Sequence, residues 1–327
     1  MPVYNGSRYL RESIDSVLKQ SFKDFIFLII DDCSSDDSVE VINSFSDSRI
    51  VLYKNEKNLG SVATPQKAMD LATTEYIARI DQDDIWKHDK LQKQIKIMDE
   101  NPSVGICGTS IELFGEQTGV KIFPLENNAL KVGLLFFCCM SHPSVVFRRS
   151  FLTENNIRYN EKYWLVDDYW LWVHCIDKTC FYVIPEPLVL YRQHDTQICS
   201  VHDKEQKELQ IDVQCILLKR IGEFSDDEYM FLKTKFLTGH ISSSAECQKF
   251  MDMYERICEE NMKTQYIDQS ILKKELFRYV QIFIKRYIIE EYFANSFNLH
   301  SYYMFVKSED SKYLTLKRKI NLLKNCL

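Results

Sequence analysis

The sequence lacks both of the usual glycine-rich phosphate cradles: there is no GxxxxGK[ST] loop and no GxGxxG after a strand-like run. A diphosphate, if bound, would need its charge met by a metal and scattered basic side chains. No apolar run approaches the roughly 18–20 residues needed to cross a bilayer, and the longest, Val132 to Met140, is far too short. No CxxC pair occurs among 11 cysteines, and adjacent Cys138 and Cys139 lie in an apolar run as small hydrophobes. Their odd number, in a long chain without a secretory signal, argues against a disulfide framework and for a reducing cytoplasm. A basic excess is also missing. The formal net charge is −6, which disfavours a nucleic-acid-coating surface. Repeats and low-complexity segments are absent. What remains is a chain of 327 residues, 45% hydrophobic, with ample material for a large α/β domain plus an appended piece.

The first half alternates helix and strand signals. Leu10, Ile14, Val17 and Leu18 share one face of a helix expected over Ser7 to Gln20. The run FIFLII, Phe25 to Ile30, predicts a buried strand that stops at Asp31-Asp32. A short helix over Asp36 to Phe45, capped by Ser34 or Ser35, and a strand over Arg49 to Tyr53 follow. Ser61 to Ala72 reads as helix, with Pro65 tolerable only near the first turn. A strand over Tyr76 to Ile80 stops at Asp81-Gln82-Asp83-Asp84, and helix resumes over Asp89 to Met98, with Leu91, Ile95 and Met98 inward. Such alternation implies a mostly parallel sheet between helices, with ligands beyond the C-terminal strand ends, where both acidic clusters fall. From His202 glycine becomes scarce and Lys/Glu-rich helical spacing takes over, most clearly over Leu272 to Ala294. The expected division is therefore 1–201 for the α/β domain and 202–327 for a helical appendage. The tail from Lys307 to Lys324 reads as a solvated helix face, with a peripheral membrane contact as the alternative.

Asp81-Gln82-Asp83-Asp84 is the most informative cluster. Three carboxylates in four residues repel one another unless a cation is shared, and hard oxygen ligands suit Mg2+ or Mn2+ with diphosphate completing the shell. A solvated acidic turn is the alternative. An EF-hand is excluded by Trp86 at the sharp-turn glycine position and Gln92 at the closing glutamate. Asp32 would either bond a base or ribose or belong to a helix-capping loop. Asp167-Asp168, ahead of Tyr169-Trp170-Leu171-Trp172, would supply a general base or merely acids favoured at a helix start. His142, before Pro143-Ser144, reads as structural. Arg192 or His194 would reach a pyrophosphate or metal, or lie on the surface.

Taken in order, Pro2-Val3-Tyr4-Asn5, Asp31 to Asp36, Asn58-Leu59-Gly60, Asp81 to Asp84, His142-Pro143-Ser144, Asp167-Asp168-Tyr169 and Tyr191-Arg192-Gln193-His194 resemble family 2 glycosyltransferases. The bacterial enzymes that assemble surface polysaccharide or lipopolysaccharide are the type in question. The likeness covers roughly the first 200 residues; no motif stands out in the rest. It implies an A-type, Rossmann-like nucleotide-diphospho-sugar transferase fold and sugar transfer with inversion. By position, Pro2 and Tyr4 would line the base pocket and Asp32 would bond a uracil-like edge. Asp83 would be the principal metal-binding carboxylate, with Asp81 and Asp84 on ribose, sugar or metal and His194 near the metal or diphosphate. Asp168 would be the base that activates the acceptor. The partners implied are a nucleotide-diphosphate sugar, of the UDP class, and a saccharide or lipid-linked saccharide acceptor at the inner membrane face.

Two departures stand out. Asp167 replaces the glutamate that usually precedes the base. Met1 directly precedes Pro2, where the family's first strand carries several more apolar residues, so the expectation is a shortened first strand and a native start upstream. A non-catalytic sugar-nucleotide-binding or scaffold protein is the main rival. A DxD phosphotransferase ranks lower, because Ile85 occupies the position where threonine would be needed.

Overall fold

The computed structural model describes residues 1–124, 126–195, 202–294 and 297–326. They form two compact units, one of residues 1–130 with 138–213, the other of 131–137 with 214–327. The expected division at 201/202 adjoins residues 196–201, which lie outside the described residues.

The first unit begins with β1 (Pro2–Val3), α1 (Ser7–Leu18), β2 (Phe27–Asp31), α2 (Ser38–Asn43), β3 (Ile50–Lys54) and α3 (Gly60–Leu71). β1, β2 and β3 form a parallel sheet in that order, Pro2 beside Ile30 and Phe27 beside Ile50. Its core is Val3, Leu10, Ile14, Val17, Ile29, Ile30 and Ile42, so the periodic face of α1 is the buried one. Pro65 corrects an expectation. It lies in the second turn of α3, not the first, where one backbone hydrogen bond is forgone and the ring is buried instead.

Next come β4 (Tyr76–Ala78), β5 (Ile85–Trp86), α4 (Lys90–Glu100), β6 (Val104–Gly115), β7 (Gly119–Lys121), α5 (Asn127–Gly133), β8 (Val146–Arg148), α6 (Arg149–Glu154), α7 (Asp167–Cys175) and β9 (Cys180–Gln193). The second sheet runs β4-β8-β6-β9-β5, with β7 on β6. Its only parallel pair among the described residues is β6 with β9; the other four pairings are antiparallel. The α/β class stands, but parallel pairing is confined more than the alternation implies. β6 and β9 slip register between Thr109 and Ser110, where Pro185 and Glu186 are the unmatched residues. In α4, Leu91 and Met98 are buried as expected and Ile95 is half-buried. Fully buried Gln94 takes the inward place, donating to Cys107 O at 2.7 Å and Ser144 O at 2.9 Å.

After α8 (Asp203–Ile221), the helices are α9 (Asp226–Phe231), α10 (Ser244–Thr264), α11 (Gln269–Phe293), α12 (Leu299–Lys307) and α13 (Leu316–Cys326). The α11 helix starts earlier than expected because Asp268 caps it, accepting from Ser270 N and Ile271 N, both at 3.0 Å. Phe136, Phe236, Phe250, Tyr279 and Phe283 knit the second unit, with ring centroids 4.7–6.3 Å apart. Among the described residues no helix is long and apolar enough to cross a membrane.

Candidate active site

Three turns are laced together at strand ends. Asn5 adopts a left-handed conformation (φ 48°), which turns the chain from β1 into α1. Its N–H donates to Ser34 Oγ at 3.0 Å, Gly6 N–H to Ser38 Oγ at 2.9 Å, and Ser7 N–H to Asp36 at 3.0 Å. The serines and aspartates after β2 therefore hold the segment carrying Pro2 and Tyr4. Pro2 is half-buried, whereas the Tyr4 ring is 47% exposed and free to meet a flat ligand.

Gln82, which the sequence reading passed over, grips the same segment from the other side. Its Oε1 accepts from Tyr4 N at 2.9 Å and its Nε2 donates to Tyr4 O at 3.1 Å. A Cβ on Gly6 would lie 2.3 Å from Gln82 Oε1, so this close approach requires glycine. Its register with Tyr4 is visible only once β1 and the acidic loop meet.

Asp32 performs the capping task. Its carboxylate accepts from Asn55 Nδ2 at 2.7 Å, Leu59 N at 2.8 Å and Gly60 N at 2.9 Å, which fixes the start of α3. Of the four lone-pair positions of a carboxylate about one remains for a ligand.

In the acidic loop Asp81 pairs with Arg79 at 2.6 Å, and Asp83 Oδ2 lies 3.0 Å from His194 Nε2. Asp84 is fully buried and accepts from Arg192 N at 2.9 Å. Burial first, then the charges of Asp83 and Asp81, hold the Asp84 carboxyl well above the ordinary carboxylate range. Asp81 is likewise raised by burial, with Arg79 opposing. Arg192 is engaged within the protein. Its Nε donates to Asp83 O at 2.8 Å and its Nη2 pairs with Glu12 at 2.7 Å. The guanidinium lies 4.2 and 4.4 Å from the Tyr9 and Phe114 ring centres.

A second carboxylate pair opens α7. Asp168 Oδ1 accepts from Tyr169 N at 2.6 Å and Oδ2 lies 3.5 Å from the Cys138 thiol. Burial raises its carboxyl to about 6, and Asp81 pushes the same way; the Tyr169 N–H, Cys138 and Arg79 oppose. Asp167 is raised much further, by burial and then by the charge on Asp168. Both carboxyls are therefore held above the ordinary carboxylate range, and they titrate as a pair. His142 backs Asp167, with Nδ1 3.8 Å away and Nε2 2.6 Å from Tyr159 OH. Burial, with Arg79 second, keeps this imidazole neutral. The structural reading of His142 agrees with this geometry. Arg79, missed from sequence, is the buried cation that Asp81, Asp83 and Asp167 all feel, and its Nε has no hydrogen-bond partner among the described residues.

A divalent cation fits this loop in one respect: after burial, the charges of Asp83 and Asp81 raise the Asp84 carboxyl, and that repulsion is what a cation relieves. Among the described residues no three His, Cys, Asp or Glu side chains converge on one point. Asp83 and His194 offer two donors, and water and diphosphate oxygens would have to supply the rest.

The sequence model of glycosyl transferase family 2 matches residues 1–152. An uncharacterized glycosyltransferase of Methanocaldococcus jannaschii, MJ1057, is 34% identical over 201 residues, spanning 59% of this chain and 69% of that protein. Escherichia coli WfaP, a UDP-Glc:alpha-D-GlcNAc-diphosphoundecaprenol beta-1,3-glucosyltransferase, is 31% identical over 54% of this chain and 68% of its own length. Among solved structures, S. aureus TarS 1-349 in complex with UDP-GlcNAc superposes with a TM-score of 0.59 at 15% identity, covering 89% of this chain and 90% of that one. Mannosyltransferase PcManGT of Pyrobaculum calidifontis, in complex with GDP-Man and Mn2+, gives 0.50 at 12% identity over 89% and 86% of the two chains. Fold and sequence together define a glycosyltransferase. The chain belongs to glycosyltransferase family 2, and the resemblance carried by its ordered motifs holds.

Proposed function

We propose that this chain is an inverting glycosyltransferase using a nucleotide-diphosphate sugar of the UDP class, with a saccharide or lipid-linked saccharide as acceptor. The observation that carries the reading is Asp168. It is a carboxylate raised to about 6, still mainly ionised at pH 7, in the same electrostatic neighbourhood as Asp81. In the reaction an acceptor hydroxyl attacks the anomeric carbon, its proton passes to Asp168, and the diphosphate leaves with the bonding electron pair. One displacement inverts the centre and needs no covalent enzyme intermediate. Asp83 and His194 would hold a Mg2+ or Mn2+ ion, which when bound supplies charge stabilisation to the departing diphosphate. The exposed Tyr4 ring and Pro2 would flank the base, and the remaining acceptor position of Asp32 would meet its N–H edge. Asp81 would face ribose, sugar or metal, while Asp84, fully buried on the Arg192 N–H, would steady the loop from behind.

Two relatives support the donor and acceptor classes: E. coli WfgD and WfaP are both named for transfer from UDP-Glc to a diphosphoundecaprenol-linked sugar. The buried thiols of Cys107, Cys139 and Cys175 suit action in the reducing cytoplasm. Calorimetric titration with UDP, with and without Mn2+, tests the site. Binding that requires Mn2+ and is lost in Asp83→Ala supports it; metal-independent binding that survives Asp83→Ala removes Asp83 from the donor site.

A further inference from the structure

The last two helices present a face that the rest of their unit does not cover. In α12, Leu299 is 55% exposed and Tyr303 53%; in α13, Leu316 is 73% exposed and Ile320 43%. Each pair has i, i+4 spacing and so shares one side of its helix. Lys307 continues the α12 side one turn on, with its ammonium 4.4 Å from the Tyr303 ring centre. Lys317 and Lys324 flank Ile320 on the exposed side of α13. Among the described residues, no carboxylate pairs with Lys307, Lys317, Lys319 or Lys324.

This face is held in place. Phe305 and Leu322 anchor the opposite sides of α12 and α13 in full burial. The connection between the helices is pinned by Gln281, whose Nε2 donates to Tyr313 O at 2.6 Å and whose Oε1 accepts from Thr315 N at 3.0 Å. Tyr292 OH donates to buried Asp310 at 2.8 Å. The exposed apolar side chains therefore belong to helices that are each anchored by one buried side chain.

Charge selects the occupant. Residues 297–326 carry six Lys/Arg against two Asp/Glu, a net +4 within a chain of −6. A second copy would set two such faces against each other and repel. An anionic lipid surface offers what the face lacks: negative charge for the lysines and a headgroup–acyl boundary for Leu, Ile and Tyr.

We propose that α12 and α13 form a peripheral docking face for membranes rich in anionic lipid. Leu299, Tyr303, Leu316 and Ile320 enter the interface, while Lys307, Lys317 and Lys324 lie at the headgroups. This rests on the second unit alone and is independent of the chemistry assigned to Asp168.

The test is sedimentation of the full chain with vesicles of phosphatidylcholine alone or with about one-third phosphatidylglycerol, as a function of salt. Binding is expected only with phosphatidylglycerol and should weaken as salt rises. Neutralising Lys317 and Lys324 together (Lys317→Gln, Lys324→Gln) should weaken binding roughly 25-fold, about fivefold per charge. Leu316→Glu with Ile320→Glu should abolish it while leaving the circular dichroism spectrum and UDP binding unchanged. Equal binding to neutral vesicles, no binding to either, or retention by the Leu316/Ile320 variant would overturn the proposal. So would a concentration-dependent dimer, in lipid-free size exclusion, that the same variant dissolves. That outcome assigns the face to a second copy.

Discussion

Asp167 and Asp168 are adjacent acids whose environments push their proton affinities apart, and the separation predicts opposite responses to the same substitution. Asp168→Asn removes the carboxylate proposed as the base and should lower kcat by about 10²–10⁴-fold. Asp167→Asn replaces a carboxyl whose hold on its proton is raised by burial and by Asp168 with a neutral isostere, and should cost less than about tenfold, because His142 still has a polar partner at that position. The pH dependence follows. Activity needs the ionised form, so it is full above the Asp168 midpoint of about 6 and is lost as pH falls through it. A carboxyl with that midpoint is about nine-tenths ionised at pH 7 and one-tenth at pH 5, so kcat/KM should drop about tenfold between them. Cys138→Ala deletes a hydrogen bond to the ionised form and should move the acid limb upward. The assay is release of UDP from a UDP-sugar in the presence of acceptor, measured from pH 5 to 8. A flat profile, Asp168→Asn activity above a tenth of the wild type, or equal losses in both asparagine variants would refute the assignment.

Two further perturbations probe other parts of the first unit. Gln82→Ala removes two hydrogen bonds to the Tyr4 backbone and should destabilise by about 1–2 kcal/mol in urea unfolding, while raising the donor KM more than it lowers kcat. Lys90 is fully buried against Trp86 with an unpartnered ammonium, and burial lowers its affinity for a proton to about 7. Because the unfolded chain holds that proton up to about 10.5, stability should rise with pH from about 7 to 10.5. Lys90→Met should stabilise the protein at pH 7 by a few kcal/mol, on the order typical of buried charges, and flatten that rise. An unchanged slope in denaturation measured across this range would argue against the buried ammonium.

The elements legible in the sequence were those whose signal is local. FIFLII followed by two aspartates announced β2 and its loop, and the apolar face of α1 is the one in the core. Long-range pairing was not legible. β6 and β9 lie side by side with some 75 residues between Val104 and its partner Cys180, and nothing in either run specifies parallel over antiparallel. The candidate carboxylates were readable because charge clustered after a strand is costly. Their supports were not, since each looked ordinary alone. Gln82 carried no signal of its own, and Arg192 read equally as a pyrophosphate or metal contact and as a surface residue. Cys138 looked like a small hydrophobe in an apolar stretch, yet its thiol reaches Asp168. Such roles exist only between segments and appear when a fold brings those segments together.

The guanidinium of Arg192 also bears on the order in which the protein assembles. It joins Glu12 across 180 residues of sequence and the backbone of Asp83 across 109. During synthesis the acidic loop therefore emerges long before the arginine that steadies it, and the first sheet can form well ahead of that closure. Gathering Glu12, Asp83 and Arg192 requires a large loop to be shut before any contact rewards it, which places completion of this centre late in folding. The ties of the acidic loop to Tyr4 and Arg79 can form before that closure, and those to Arg192 only with it.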